Sequence, residues 1–189
     1  MTTDFKLVLA SGSPRRKELL TQLGYEFTVL KTDVEEVKQE HESAHEYVQR
    51  LAHDKAIAGL ALADKDSVVL GSDTVVVIDG KVLEKPQDFA DSQRMLLQLS
   101  GNQHQVMTAV SVVSEKEQQT VVVTTDVWFK SLSEKEIEQY WLSGEPCDKA
   151  GSYGIQGLGG RFVTRIEGSF HSVVGLPLFE TDQLLHKFL

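Results

Sequence analysis

Short β-branched runs alternate with capped helical segments along the whole chain, and this alternation places the fold in the α/β class. The first pair shows the pattern. Lys6 to Ala10 (KLVLA) predicts a strand, and a helix carrying Leu19, Leu20 and Leu23 follows and stops at Gly24. Ser13 is its N-cap, and Pro14 takes the first helical position, where a missing N–H costs nothing. Ser43 with Glu46, and Ser133 with Glu136, form capping boxes that open helices reaching about Leu62 and Leu142. Ser67 to Leu70 and Thr74 to Ile78 read as strand, and Asp79-Gly80 as a tight hairpin turn into KVL. A helix is expected from about Phe89 to Ser100, a long hairpin over Gln105 to Val113 and Thr120 to Phe129, and a last helix from near Pro177. Thr32 to Glu42 reads as a polar loop and Ala150 to Gly160 (AGSYGIQGLGG) as a flexible glycine-rich one.

Length and composition set outer limits. With 189 residues, 41% hydrophobic and 25% charged, the chain suits one domain or two small lobes sharing a core. A net charge of −9 and a pI near 5.1 weigh against a broad basic face, so no nucleic-acid partner is expected. Local basic clusters in such an acidic chain point to a small anionic ligand. Cys147 stands alone, so an internal disulfide is impossible and it reads as an ordinary thiol. The sequence shows no signal-peptide apolar region and no apolar run of membrane-spanning length. The expectation is a soluble cytoplasmic protein with no membrane partner.

The candidate site residues stand out because each breaks a local rule. Arg15, Arg16 and Lys17 occupy the first turn of a helix, the end where the dipole favours acids. A solvated basic turn accounts for them; so does a phosphate chain held jointly by helix N–H groups and arginine forks. On the second capped helix, Val48, Leu51, Ala58 and Leu62 form an apolar stripe, and Lys55 falls near its middle. An inward lysine either snorkels out or finds an anion. Asp73 lies in VVLGSDTVVVI, a carboxylate inside an apolar β region. It reads as a strand-end cap, a metal ligand or a general base; an oxygen ligand there suits Mg²⁺ or Mn²⁺. Gly71 marks a bulge or a close backbone approach.

Other features carry less by themselves. Lys85 precedes Pro86 in an extended loop, and Glu35-Glu36 is a solvated charge pair either of which could supply a second metal ligand. Gln156 could read a base edge through an amide that both donates and accepts, or be an ordinary loop residue. His41 and His45 lack the companion residues of a zinc site, and no G-x-S-x-G elbow or P-loop pattern occurs.

Taken together, SGSPRRKELL, LGSDTVV, LEKP, SGNQHQVMTAV, DKAGSYGIQGLGG and VVGLPL resemble the Maf family of nucleoside triphosphate pyrophosphatases, nearly end to end. The resemblance implies a single domain over residues 1–189 and a long mixed, twisted sheet with flanking helices. It also implies a cleft between two lobes, similar to the inosine triphosphate pyrophosphatase fold. It implies a divalent metal cofactor (Mg or Mn) and cleavage between the α- and β-phosphates, giving a nucleoside monophosphate and pyrophosphate. By the same resemblance Asp73, Lys55 and Lys85 are the catalytic positions, Asp73 and Glu35 the metal positions, and Ser11, Ser13, Arg15, Arg16, Thr74 and Gln156 the substrate-binding positions. Arg15, Thr74 and Gln156 match the dTTP/UTP subgroup, whereas the 7-methyl-GTP subgroup carries an aromatic residue, glutamine and glutamate there. A homodimer is common among such proteins. Two alternatives stay open at this point: a nucleotide-binding regulator of cell division without essential turnover, and a 7-methyl-GTP pyrophosphatase.

Overall fold

The computed structural model describes residues 6–189; the extreme N-terminus, part of the leader-free reading above, lies outside that range. Among the described residues the strands are β1 (Lys6–Leu9), β2 (Thr28–Val29), β3 (Ser67–Ile78), β4 (Lys81–Leu83), β5 (Gln103–Val113), β6 (Gln118–Phe129) and β7 (Val163–Glu167). The helices are α1 (Pro14–Gln22), α2 (Ala44–Leu62), α3 (Phe89–Leu99), α4 (Glu134–Leu142), α5 (Phe170–Val174) and α6 (Leu178–Phe188). The seven strands form one mixed sheet in the order β2-β1-β3-β5-β6-β7, with β4 also paired to β3. β1 pairs parallel with both β2 and β3, which is possible only because helices carry the chain back between them. β3 with β4 and β6 with β7 are antiparallel.

The chain divides into two compact units, each assembled from separated segments. The first holds the described residues up to Asp73, then Thr108–Val123 and Gly175–Leu189; the second holds Thr74–Met107 and Thr124–Val174. The polar loop from Thr32 to Glu42 lies in the first.

In the first unit the packing is set by small residues. Gly59 of α2 sits where an added Cβ would lie 2.7 Å from Ala10 Cβ and 2.8 Å from Val69 Cγ1. Gly71 of β3 sits where a Cβ would lie 2.4 Å from the Ala52 carbonyl oxygen. The suspected close backbone approach is therefore α2 itself, pressed onto the sheet. This corrects the expected stripe. Val48 and Leu51 are buried, but Leu62 is 66% exposed, and the buried face continues through Ala52, Ala56 and Gly59. Close packing selects small side chains, so counting bulky ones misplaces the face. Lys55 still falls on the sheet-facing side.

In the second unit the core gathers Met95, Leu96 and Leu99 of α3, Ile137 and Tyr140 of α4, and Val76, Val106, Val127 and Phe129 from the strands. Both capping boxes form as read, at Ser43/Glu46 and Ser133/Glu136. Asp79 and Gly80 both take positive φ (49° and 71°), the geometry a two-residue hairpin turn needs. His104 is buried in this core, its Nε2 2.7 Å from the Tyr153 hydroxyl and its ring edge-on to Phe129. Burial pushes its pKa from 6.5 down to about 4. The folded state thus holds His104 neutral where the unfolded chain takes up a proton, so stability is lost as pH falls from 6.5 toward 4. Denaturant unfolding across that window should show stability rising with pH in the wild type and a shallower rise in His104→Gln. Identical slopes would remove His104 as the cause.

Candidate active site

Strand alternation places the central carboxylate. In β3, Gly71 and Asp73 are two residues apart and share a face. Gly71 lets α2 come against that face, touching Ala52 and Ala56, and Lys55 lies between those two on the helix. Lys55 Nζ reaches Asp73 Oδ1 at 2.7 Å. The same ammonium reaches Glu36 Oε1 at 2.8 Å. The lysine is therefore not a snorkelling side chain: it is 13% exposed and bridges two carboxylates. Asp73 is no strand-end cap either, since it sits in the middle of a twelve-residue strand with its side chain 9% exposed.

The electrostatics of Asp73 are a contest. Burial raises its pKa above the ordinary aspartate value, while the charges of Lys55 and Arg16 pull it back. A carboxylate in this position is costly in water-free surroundings, and removing one partner of such a pair costs more than the pair itself gains.

The basic helix start now has an explanation. Ser13 caps α1 by accepting from the Arg16 N–H, and Ser11, buried, accepts from the Ser13 N–H. Arg16 turns back into the unit: its Nε donates to the Gly175 carbonyl at 2.8 Å. Burial lowers its pKa, and the largest opposing influence is the charge of Asp73. One of the three cations at the wrong helix end thus faces a buried acid. Arg15 is half-buried and Lys17 exposed.

The sequence left Glu35 and Glu36 equivalent and did not single out the residues that support Glu36. The expected metal pair was Asp73 with Glu35; both glutamates are exposed, and it is the Glu36 carboxylate that meets Lys55. Two residues of α2 hold the loop there. The Tyr47 hydroxyl donates to the Glu36 carbonyl at 3.1 Å, and Arg50 donates to the Val37 carbonyl at 2.9 Å while pairing with Glu42. A tyrosine and an arginine one turn apart on a capped helix were the available signal. Gly175, in VVGLPL, was quoted only as part of a motif; its carbonyl accepts from Arg16 and, at 3.3 Å, from the Ser72 hydroxyl.

The donor set suits a hard divalent cation. Asp73 and Glu36 present carboxylate oxygens within 3 Å of one shared positive charge, and Mg²⁺ or Mn²⁺ uses few protein carboxylates, completing its shell with phosphate and water.

The remaining expected positions belong to the second unit. Thr74 follows Asp73 in β3 and points to the other face, half-buried. Lys85 is exposed in the extended stretch before the buried Pro86. Gln156 is exposed in a turn of the glycine-rich stretch. That stretch is not the flexible loop its composition implied. Short 3-10 turns occupy much of it, the Gly151 N–H donates to the Glu84 carbonyl at 3.2 Å, and a Cβ on Gly151 would lie 2.7 Å from Val76.

A mixed sheet bearing a buried Asp73–Lys55 pair, joined by the exposed Glu36 and with an arginine at a helix start within its field, defines an α/β protein equipped to handle phosphate groups. The sequence profile of Maf-like proteins matches residues 6–188, and the chain belongs to that family. It is 72% identical over 189 residues to the dTTP/UTP pyrophosphatase of Vibrio parahaemolyticus serotype O3:K6, covering 100% of both chains. It is 70% identical over 183 residues to the dTTP/UTP pyrophosphatase of Vibrio cholerae serotype O1, covering 97% of this chain and 98% of that one. Among solved structures, the Staphylococcus aureus Ham1 protein overlaps 66% of this chain and 71% of its own, at 16% identity and a TM-score of 0.49.

Proposed function

We infer that the chain is a nucleoside triphosphate pyrophosphatase that hydrolyses dTTP and UTP to the nucleoside monophosphate and pyrophosphate. One observation carries the chemistry: a buried carboxylate, Asp73, held 2.7 Å from Lys55 and within the field of Arg16. A protein that only grips phosphates gains nothing from a negative charge among its cations unless that charge holds a metal. A hydrolase needs one, to take a proton or to hold a metal. The base specificity is supported by full-length relatives named dTTP/UTP pyrophosphatase and by Arg15, Thr74 and Gln156, which fit that subgroup.

In the proposed reaction Asp73 orients a water and accepts its proton as the oxygen bonds to the α-phosphorus. The bond from that phosphorus to the bridging α–β oxygen breaks, and pyrophosphate leaves with the electron pair. Lys55 holds Asp73 in place and ionised until the proton moves. Arg15, Arg16 and Lys85 offset the charge gathering on the leaving group, with Ser11 and Ser13 shaping the turn that presents the arginines. Asp73 and Glu36 would hold a divalent cation, Mg or Mn, which would supply positive charge against the negative charge gathering on the departing pyrophosphate. Thr74 and Gln156 are assigned to base selection, Gln156 satisfying the O4/N3–H edge of uracil or thymine.

The proposal extends to a whole-chain single domain, a homodimer, and a cytoplasmic role in clearing the nucleotide pool of ordinary or modified pyrimidine triphosphates. Among the described residues no helix is long and apolar enough to cross a membrane. The test is pyrophosphate release from UTP, dTTP and 7-methyl-GTP with Mg²⁺ or Mn²⁺. Release from UTP and dTTP well above 7-methyl-GTP is expected. Calorimetric binding with no release from any of them would make the protein a nucleotide-binding regulator instead.

A further inference from the structure

The glycine-rich stretch is fastened by one carboxylate. Glu145, just after α4, sends its side chain back into residues 154–159. Its Oε2 accepts the Leu158 N–H at 2.8 Å, and its Oε1 accepts the Gly159 N–H at 3.0 Å. Oε1 also accepts the Tyr140 hydroxyl at 2.6 Å, and that hydroxyl in turn accepts the Gly154 N–H at 3.1 Å. Backbone groups on both sides of Gln156 are therefore tied to the same two side chains.

The fit leaves no slack. A Cβ on Gly157 would lie 2.3 Å from Glu145 Oε2, and one on Gly159 would lie 2.6 Å from the Tyr140 oxygen. The Glu145 carboxylate at Gly157, and the Tyr140 phenol together with the Gly154 carbonyl oxygen (also 2.6 Å) at Gly159, occupy the space a side chain needs. Tyr140 is fully buried, its ring edge-on to Phe162 at 5.0 Å, so the anchor itself belongs to the core. Burial works against the Glu145 charge, but the bonds from Tyr140, Gly159 and Leu158 outweigh it and keep the group below the usual glutamate range. Burial and the nearby carboxylate drive the Tyr140 pKa up, so the phenol keeps its proton and remains a donor.

We propose that Glu145, with Tyr140, is a positioning residue for base selection: it fixes the 154–159 turn so that the Gln156 amide is presented to the pyrimidine edge in one orientation. The proposal rests on the assignment of Gln156 to base reading. Glu145 touches no substrate; it acts through the backbone on either side of Gln156. A neutral glutamine in its place has a single acceptor oxygen and puts an N–H donor against a backbone N–H, so it cannot hold both flanks.

The experiment compares kcat and KM for UTP and CTP in wild type, Glu145→Gln, Glu145→Asp, Tyr140→Phe and Gln156→Ala. UTP and CTP differ only at the base edge that Gln156 is assigned to read. Glu145→Gln should raise KM for UTP about tenfold, the scale of lost hydrogen bonds to a charged group. It should collapse the UTP-over-CTP preference while leaving kcat within about threefold. Glu145→Asp, which keeps the charge, should recover part of the preference. Tyr140→Phe removes two bonds, the one donated to Glu145 Oε1 and the one accepted from the Gly154 N–H, but leaves Glu145 its bonds from Leu158 and Gly159. It should show a partial loss of preference, and it serves if Glu145→Gln does not fold. A preference lost in Gln156→Ala but intact in the Glu145 and Tyr140 variants would overturn the proposal and leave the Gln156 assignment standing. A preference intact in Gln156→Ala as well would overturn both.

Discussion

Asp73→Asn is expected to lower kcat for UTP and dTTP by about 10³-fold, within the range a positioned general base contributes. The asparagine keeps the shape and still offers Lys55 an acceptor oxygen at the place of Oδ1, now 2.7 Å away. What it loses is the charge and the ability to take a proton. Loss of the charge relieves repulsion of the triphosphate but weakens the hold on the proposed cation, so KM is compared at saturating Mg²⁺, where it should not rise. A fall in kcat with unchanged or lower KM would be the mark of an interaction needed in the transition state alone. Near-normal turnover with metal present would show that Asp73 is not the proton acceptor.

Gly71→Ala should be the most damaging change that adds a single carbon. Its Cβ would come within 2.4 Å of the Ala52 carbonyl oxygen and 2.6 Å of the Ala56 nitrogen, both backbone atoms that no rotamer change can move. Helix α2 must shift away from β3, and overpacking of this kind costs about 3 kcal/mol at its upper range. For a chain of this size that is a fall in Tm of roughly 9 °C. Because Lys55 lies between Ala52 and Ala56, the same shift lengthens the Lys55–Asp73 contact, so kcat should fall along with Tm. Gly80→Ala is the control. It carries a positive φ of 71° but has no atom within 4 Å of the added carbon. Its cost is that of the backbone alone, about 1 kcal/mol. Calorimetric melts of the two variants check the difference; equal melting temperatures would mean that the helix does not rest on Gly71.

The parts of this fold legible in the sequence were those governed by local rules. Two capping boxes, the Asp79-Gly80 turn and the glycine stop at Gly24 each follow from chemistry within a few residues. Asp73 and Lys55 were legible because each violates its own periodicity: an acid within apolar alternation, a lysine on an inward helix face. What the sequence concealed depends on distant partners. β2 is only two residues long, and β7 shows no clean alternation, with its first and fourth residues half-buried and the rest exposed. SVVL and TVVVI proved to be one continuous strand through Gly71 and Asp73. Which of Glu35 and Glu36 meets Lys55 was invisible because the loop has no period; Tyr47 and Arg50 on α2 hold the loop backbone at Glu36 and Val37. AGSYGIQGLGG looked loose because glycine is read locally as freedom, whereas here glycines make room for Glu145 and Tyr140.

The central claim concerns where water attacks, and one measurement addresses it directly. UTP is hydrolysed in ¹⁸O-labelled water with Mg²⁺, and the products are followed by ³¹P NMR, in which the label shifts the resonance of the phosphorus it joins. The account predicts UMP carrying the label and unlabelled pyrophosphate. UDP with labelled inorganic phosphate would mean attack at the γ-phosphorus, and labelled pyrophosphate with unlabelled UMP would mean attack at the β-phosphorus. Either result would contradict an Asp73-directed attack on the α-phosphorus.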